Sequence, residues 1–278
     1  MPFDFNLFLQ GYGIRPADVR LLRHQSGPHD GRTPYTLWRD APDQFVVYQS
    51  VQTAQNRSRL NAPYWASFVV TPAQLTLFVG LFQVERLGEC PADMTDPLRQ
   101  VPVSIGARDL DLYRQQEAVE CCDFAGRVFV DWGLGTRTWI QLAAKQPKPI
   151  TEITRVFRED EFPGYVHFIS KLSVVETLPS TWLTALGAAK GVYLLTCPAT
   201  KEQYVGAATS EGGFLSRWLG YVRDGHGGNV GLKSRDRSDY QVSILEVCGS
   251  AASEREILGA EQLWKAKLQS KEMGLNRN

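Results

Sequence analysis

Two tyrosine-bearing tripeptides, Gly191-Val192-Tyr193 and Tyr204-Val205-Gly206, stand ten residues apart between their tyrosines, and Arg217, Tyr221, Glu261 and Asn276 follow them. These residue types suit hydrolysis of a phosphate ester. A guanidinium is a planar, permanently charged fork for phosphoryl oxygens. A single carboxylate suffices to hold Mg²⁺ (or Mn²⁺), which keeps most of its waters. A phenol can relay the proton of an attacking water, although its ordinary pKa of about 10 makes it a poor base at neutral pH unless cations or a metal-bound hydroxide lower its proton affinity. Each residue also has a plainer reading. The tyrosines would make a cross-strand aromatic pair worth under about 1 kcal/mol, Arg217 would be a solvated charge, and Glu261 would pair with Lys265 one helical turn on.

The elements that must position these groups can be read from the local pattern. Residues 191–197 and 202–208 form a hairpin around PATK, with Pro198 entering the turn. Any register in which paired residue numbers sum to an odd value puts Tyr193 and Tyr204 on one face. A helix over 213–224 carries Phe214, Arg217 and Tyr221 at i, i+3 and i+7, while Leu215, Trp218, Leu219 and Val222 make a separate apolar stripe, so Arg217 and Tyr221 point together away from it. A glycine-rich loop over 225–229, with His226, leads to a strand over 239–248. The last helix, 253–268, opens with a Ser253–Glu256 capping box. Within it Ile257, Glu261, Trp264 and Leu268 form one stripe, which buries a carboxylate, a costly arrangement unless the acid is paired or metal-bound.

In order and spacing these residues resemble the GIY-YIG nuclease superfamily, over about residues 188–278. The resemblance implies a small α/β domain with a three-stranded antiparallel sheet flanked by helices, carrying Tyr193 and Tyr204. It implies that Arg217 binds the scissile phosphate, that Glu261 holds one Mg²⁺ or Mn²⁺ per active site, and that Asn276 supports the site. Tyr221 stands where members carry His or Tyr. The implied activity is that of a phosphodiesterase, an endodeoxyribonuclease acting on double-stranded DNA, for which cutting both strands would call for a homodimer. In one departure, Ala207 and Ala208 follow YVG where many members have Lys. The charge that depresses a tyrosine pKa must then come from elsewhere, with His226 and Lys233 as candidates. Whether Tyr193 or Tyr204 is the base stays open, with Tyr221 or His226 assisting.

The remaining sequence, 1–178, reads as a β-rich target-recognition domain ahead of a nuclease domain over 179–278, giving an α+β chain. Runs at 44–52, 64–70, 75–87, 126–133, 138–144 and 148–153 are β-branched and aromatic, as expected of a barrel or curled sheet. A short helix over 15–24, with Pro16 in its first turn, would cover one end. The domain is somewhat similar to the PUA-like fold, a class that includes readers of modified bases. That similarity implies that Tyr48, Tyr64, Trp65, Trp132 or Trp139 stacks on an extruded base, the plainer reading being core packing. Arg20, Arg23 and His24 would contact phosphates or form a solvated face.

Composition narrows the classes further. Of 278 residues, 43% are hydrophobic and 22% charged, and no apolar run approaches the roughly 20 residues of a membrane span. The N-terminus lacks the pattern of a signal peptide, so a cytoplasmic location is expected. Five cysteines without a CxxC give neither a disulfide framework nor a zinc spacing. Thirty basic and thirty acidic residues cancel, so global charge lends nothing to nucleic-acid binding. The expected role is a restriction or phage-defence endonuclease that senses modified DNA. The alternatives are a repair or recombination nuclease acting on structured or damaged DNA, and an inactive DNA-binding module, disfavoured because the whole residue set is present.

Overall fold

The structure, a computed structural model, describes residues 3–105, 109–134, 138–224 and 239–276. The chain divides into two compact units, Met1–Glu159 and Asp160–Asn278. Among the described residues no helix is long and apolar enough to cross a membrane.

In the first unit the elements run α1 (Phe5–Gly11), β1 (Val19–His24), α2 (Pro34–Asp40), α3 (Pro42–Ser50), β2 (Val51–Thr53), α4 (Arg57–Leu60), β3 (Tyr64–Val70), β4 (Thr76–Glu89), β5 (Leu110–Glu117), β6 (Val128–Val130), β7 (Ile140–Leu142) and β8 (Ile150–Ile153). The strands form one curled sheet in the order β2-β5-β4-β3-β1-β7, with β6 pairing β4 and β8. β1 and β3 run parallel, and the other pairings are antiparallel. Strand β3 is buried on both faces, hence its run YWASFVV, apolar but for Ser67, whose hydroxyl donates to Gln49 Oε1. Phe5, Phe8, Phe68 and Phe78 pack ring against ring in the main core.

Two sequence expectations fail here. Residues 15–24 are not a helix: Pro16–Asp18 make a single 3-10 turn, and Val19–His24 become a strand hydrogen-bonded between β3 and β7. Ladder pairing on both sides outweighs the local helical pattern. Conversely, most of 44–52 is helix α3, with Pro42 at its start and Phe45 and Gln49 buried one turn apart, and only its end joins strand β2. Its β-branched residues mimic a strand, but Val46 is half-buried and Val47 exposed.

The second unit contains β9 (Ile169–Lys171), α5 (Ser180–Ala188), β10 (Gly191–Thr196), β11 (Gln203–Ala208), α6 (Gly213–Asp224), β12 (Gln241–Val247) and α7 (Glu254–Lys267). Its sheet is antiparallel in the order β11-β10-β12-β9. Among the described residues it therefore has four strands where three were expected, because Ile169–Lys171 pairs with residues 241–243 of β12. The same pairing draws residues 160–178 into this unit, so the division falls at 159/160 and not at 178. Trp182 Nε1 donates to the carbonyl of Asp160, fastening α5 to the same stretch. Both α6 and α7 pack against β10 and β11.

Candidate active site

The hairpin has the register that puts both tyrosines on one face: Tyr193 lies opposite Gly206, and Tyr204 opposite Leu195. Gly206 is needed for steric reasons. A Cβ there would sit 2.4 Å from Tyr193 Oη and 2.5 Å from its Cζ, so the phenol lies directly across the glycine. Gly191 answers a different demand, with φ +153° beside the bulge between Val192 and Tyr193, where a Cβ would meet the Glu246 carbonyl of β12 at 2.1 Å. Both motif glycines thus let another group approach the backbone.

Helix α6 closes over this face. Its buried side is Phe214, Trp218 and Tyr221, with Leu215, Leu219 and Val222 only half-buried. The expected apolar stripe is therefore rotated, and Tyr221 belongs to the core side. Phe214 and Phe168 both stack on Trp218, with centroids 5.5 and 5.4 Å away, and Tyr193 meets Trp218 edge-on. Within this aromatic wall Tyr193 Oη lies 2.8 Å from Tyr221 Oη, and Arg217 Nε donates to Tyr193 Oη at 3.2 Å. The Arg217 guanidinium also sits 5.2 Å from the centre of the Tyr221 ring, a cation–π contact. Arg217 and Tyr221 do meet, as the helical spacing required.

Burial raises the pKa of Tyr193 and of Tyr221, and the nearby Arg217 offsets only part of that. Tyr193 is wholly inaccessible to solvent. A protonated, doubly hydrogen-bonded Tyr193 orients its neighbours and does not itself meet water. Tyr204 lies on the same face with its ring 6.4 Å from that of Tyr221, and among the described residues its hydroxyl has no hydrogen-bond partner. Arg217 is half-buried and makes no ion pair with an acid among the described residues. Its Nη amines have no partner there either.

Helix α7 begins at the expected capping box, with Ser253 Oγ accepting from Glu256 N and Glu256 Oε2 accepting from Ser253 N. Its buried residues are Ile257, Glu261 and Lys265, whereas Trp264 is half-buried and donates to Glu246 Oε2 at 2.7 Å. The expected Trp264–Leu268 continuation of the stripe is thus replaced by Lys265. Lys265 Nζ lies 3.1 Å from Glu261 Oε1, and both side chains are about nine-tenths buried. The salt bridge considered as the plainer reading is present. It engages one carboxylate oxygen, and Oε2 has no partner among the described residues. One open anionic oxygen fits a Mg²⁺ that keeps most of its water shell, and no cluster of three or more acids, His or Cys exists among the described residues to hold a more demanding metal.

Asn276 clamps the edge strand β11. Its Oδ1 accepts from Val205 N at 2.9 Å and its Nδ2 donates to Val205 O at 2.8 Å, which satisfies both backbone groups of the residue between Tyr204 and Gly206. Leu275 N donates to Gln203 O nearby. His226 and Lys233 lie outside the described residues.

The first-unit candidates separate by burial. Trp65 is fully buried, packed on Tyr113 at 4.8 Å, and donates to Leu60 O. Trp132 is 4% exposed. Neither presents a face for a base, and Tyr64 packs against the core. Tyr48, bonded through its hydroxyl to Ser26 at 2.9 Å, and the half-buried Trp139 both lie beside the buried His24 ring. Arg23 and His24 are buried and Arg20 is turned onto the carbonyls of Arg59 and Asn61, so these three do not form a solvated basic face.

No family model matches the chain, and no curated protein matches it, so the PUA-like likeness of the first unit finds no support there. Among solved structures, a variant of the catalytic domain of intron endonuclease I-TevI is similar at 23% identity. The match covers 32% of this chain and 94% of that one, with a TM-score of 0.28. A likeness of that extent is too slight to carry fold or function.

Proposed function

We propose that the chain is a metal-dependent DNA endonuclease that hydrolyses phosphodiester bonds in double-stranded DNA, with its site on β10, β11, α6 and α7. The observation that carries this reading is Arg217: a half-buried guanidinium fixed through Nε to Tyr193, unpaired with any acid among the described residues, on the sheet face that also bears Tyr204. A guanidinium preorganised in this way is suited to the charge that builds on phosphoryl oxygens as water attacks phosphorus and the P–O3′ bond breaks. Its Nη amines contact the phosphate, while Tyr193 and Tyr221 hold the guanidinium in place. The Tyr204 hydroxyl takes part in moving the proton of the attacking water, and Asn276 keeps that tyrosine's strand in register. Glu261 would hold Mg²⁺ through Oε2, and a bound Mg²⁺ supplies charge stabilisation for the leaving oxygen.

On this reading the first unit chooses the target. We assign it recognition of a modified base, with Tyr48 and Trp139 beside His24 as the aromatic surface, in a restriction or phage-defence role that uses a homodimer to cut both strands. Purified protein incubated with matched unmodified, methylated, hydroxymethylated and glucosylated duplexes in Mg²⁺ and in EDTA tests both levels. Cleavage in EDTA would exclude the metal. Cleavage that tracks DNA structure and ignores modification would favour repair or recombination.

A further inference from the structure

Trp132 of the first unit is attended by two buried cations. The Lys148 ammonium lies 4.7 Å from the centre of its ring and donates to its carbonyl at 2.9 Å, and the Arg23 guanidinium lies 5.9 Å from the same ring. Arg23 is 9% exposed, Lys148 5% and Trp132 4%. Burying a charge is costly unless it is paired, yet neither cation has a carboxylate within ion-pair distance among the described residues. Arg23 donates to Thr76 Oγ1 at 3.1 Å and to Gln25 Oε1 at 2.7 Å, both neutral acceptors. Asp131 is the acid whose charge reaches Lys148, but it is exposed and already accepts from Gly133 N. The Trp132 indole Nε1 is buried with no acceptor among the described residues.

Each of the three residues therefore keeps unspent donors. Lys148 has three N–H groups and uses one, the Arg23 Nη2 amine has no acceptor among the described residues, and the Trp132 N–H is idle. Burial lowers the pKa of both cations, and Arg23 lowers that of Lys148 further, against the opposing pull of Asp131. The geometry points to an oxyanion site at Arg23, Lys148 and Trp132 that takes a phosphate group, either free or at the end of a nucleotide chain. A terminal phosphate is largely dianionic at neutral pH and so matches two cations, and its several oxygens match the spare donors. A bridging diester carries one charge and two bulky substituents, and so does not match a site this closed. The site belongs to the first unit, whereas Arg217 and Glu261 belong to the second.

The test is thermal unfolding of the full chain at fixed pH and ionic strength, with inorganic phosphate replacing chloride. Above the dissociation constant the midpoint should rise by about 3 °C for each tenfold increase in phosphate. Lys148→Met removes the charge and keeps the length. It should unfold at a higher temperature than the unsubstituted protein in phosphate-free buffer and show no phosphate response. Arg23→Gln should lose the response as well, Trp132→Phe should weaken it, and Arg217→Ala should retain it. A 5′-phosphorylated oligonucleotide binding tighter than both inorganic phosphate and its 5′-hydroxyl counterpart would assign the site to a nucleic-acid end, and tighter inorganic phosphate would assign it to the free ion. Absence of any phosphate response in the unsubstituted protein, with no radiolabelled phosphate retained in equilibrium dialysis, would overturn the proposal. A response unchanged in both Lys148→Met and Arg23→Gln would overturn it too.

Discussion

The Tyr193 and Tyr221 hydroxyls lie 2.8 Å apart, and the Tyr193 oxygen also accepts from Arg217 Nε. One hydroxyl donates to the other, so the oxygen of a fully buried phenol is occupied from two sides. This separates the two motif tyrosines, which sequence alone treats as equivalent.

Tyr193→Phe should therefore unfold more easily, by about 1–3 kcal/mol, because it leaves the Tyr221 hydroxyl and the Arg217 Nε without their shared partner. Tyr204→Phe removes a hydroxyl with no partner among the described residues and should leave stability within roughly 0.5 kcal/mol of the parent. Its cleavage rate should nevertheless fall by about two orders of magnitude or more. Thermal unfolding and single-turnover cleavage of both variants check this. A destabilised Tyr204→Phe that retains activity would exchange the two roles.

Gly206→Ala places a methyl where the Tyr193 phenol lies. The ring must shift, at a cost of roughly 1–3 kcal/mol for overpacking, and Arg217 loses its anchor. The expected outcome is a folded, destabilised protein that cleaves more slowly than the parent because its guanidinium is no longer held in place. Full stability would show that the ring can leave this position freely.

The Glu261–Lys265 pair allows the metal to be tested without a cleavage assay. Lys265→Met strands a buried carboxylate, which should destabilise the protein by about 3–5 kcal/mol. If Glu261 holds Mg²⁺, added Mg²⁺ should restore much of that loss, and Glu261→Gln should abolish the Mg²⁺ response while keeping the fold. A Lys265→Met protein whose unfolding midpoint ignores Mg²⁺ would leave Glu261 as a structural partner only.

His24 gives the first unit a pH signature. Its ring is buried against Phe45, Tyr48 and Trp139, and burial holds its pKa down to about 4. A depressed pKa means that the unfolded chain takes up the proton first. Stability should thus be full above the unfolded value of about 6.5 and be lost as pH falls through about 4. His24→Asn should flatten that part of the profile in denaturant melts between those limits. An equal slope in both proteins would remove His24 as its cause.

What the sequence made legible was mainly local. The hairpin register, the Ser253–Glu256 cap and the meeting of Arg217 with Tyr221 follow from periodicities of two and 3.6, and each stands in the structure. The missed features depend on distant chain. Val19–His24 is a strand because β3 and β7 pair with it, and Ile169–Lys171 joins the second sheet through β12. The rotation of α6 sets Tyr221 against Tyr193 and Tyr204 of the hairpin, contacts that no helical wheel includes. The pairing of Lys265 with Glu261 was legible from their i, i+4 spacing, but the burial of both side chains was not, since a hydrophobicity pattern places no lysine in a core. The burial of Trp65 and Trp132 was likewise hidden, since an aromatic in a strand reads the same whether it packs or binds.

The central claim is tested most directly by single-turnover cleavage of an end-labelled duplex by the unsubstituted protein and by Arg217→Ala, in Mg²⁺ and in EDTA, with DNA affinity measured alongside. The account predicts Mg²⁺-dependent cleavage by the unsubstituted protein, none in EDTA, and a rate about two to three orders of magnitude lower for Arg217→Ala at similar affinity. Equal rates for the two proteins, or no cleavage of any duplex by the unsubstituted one, would contradict it.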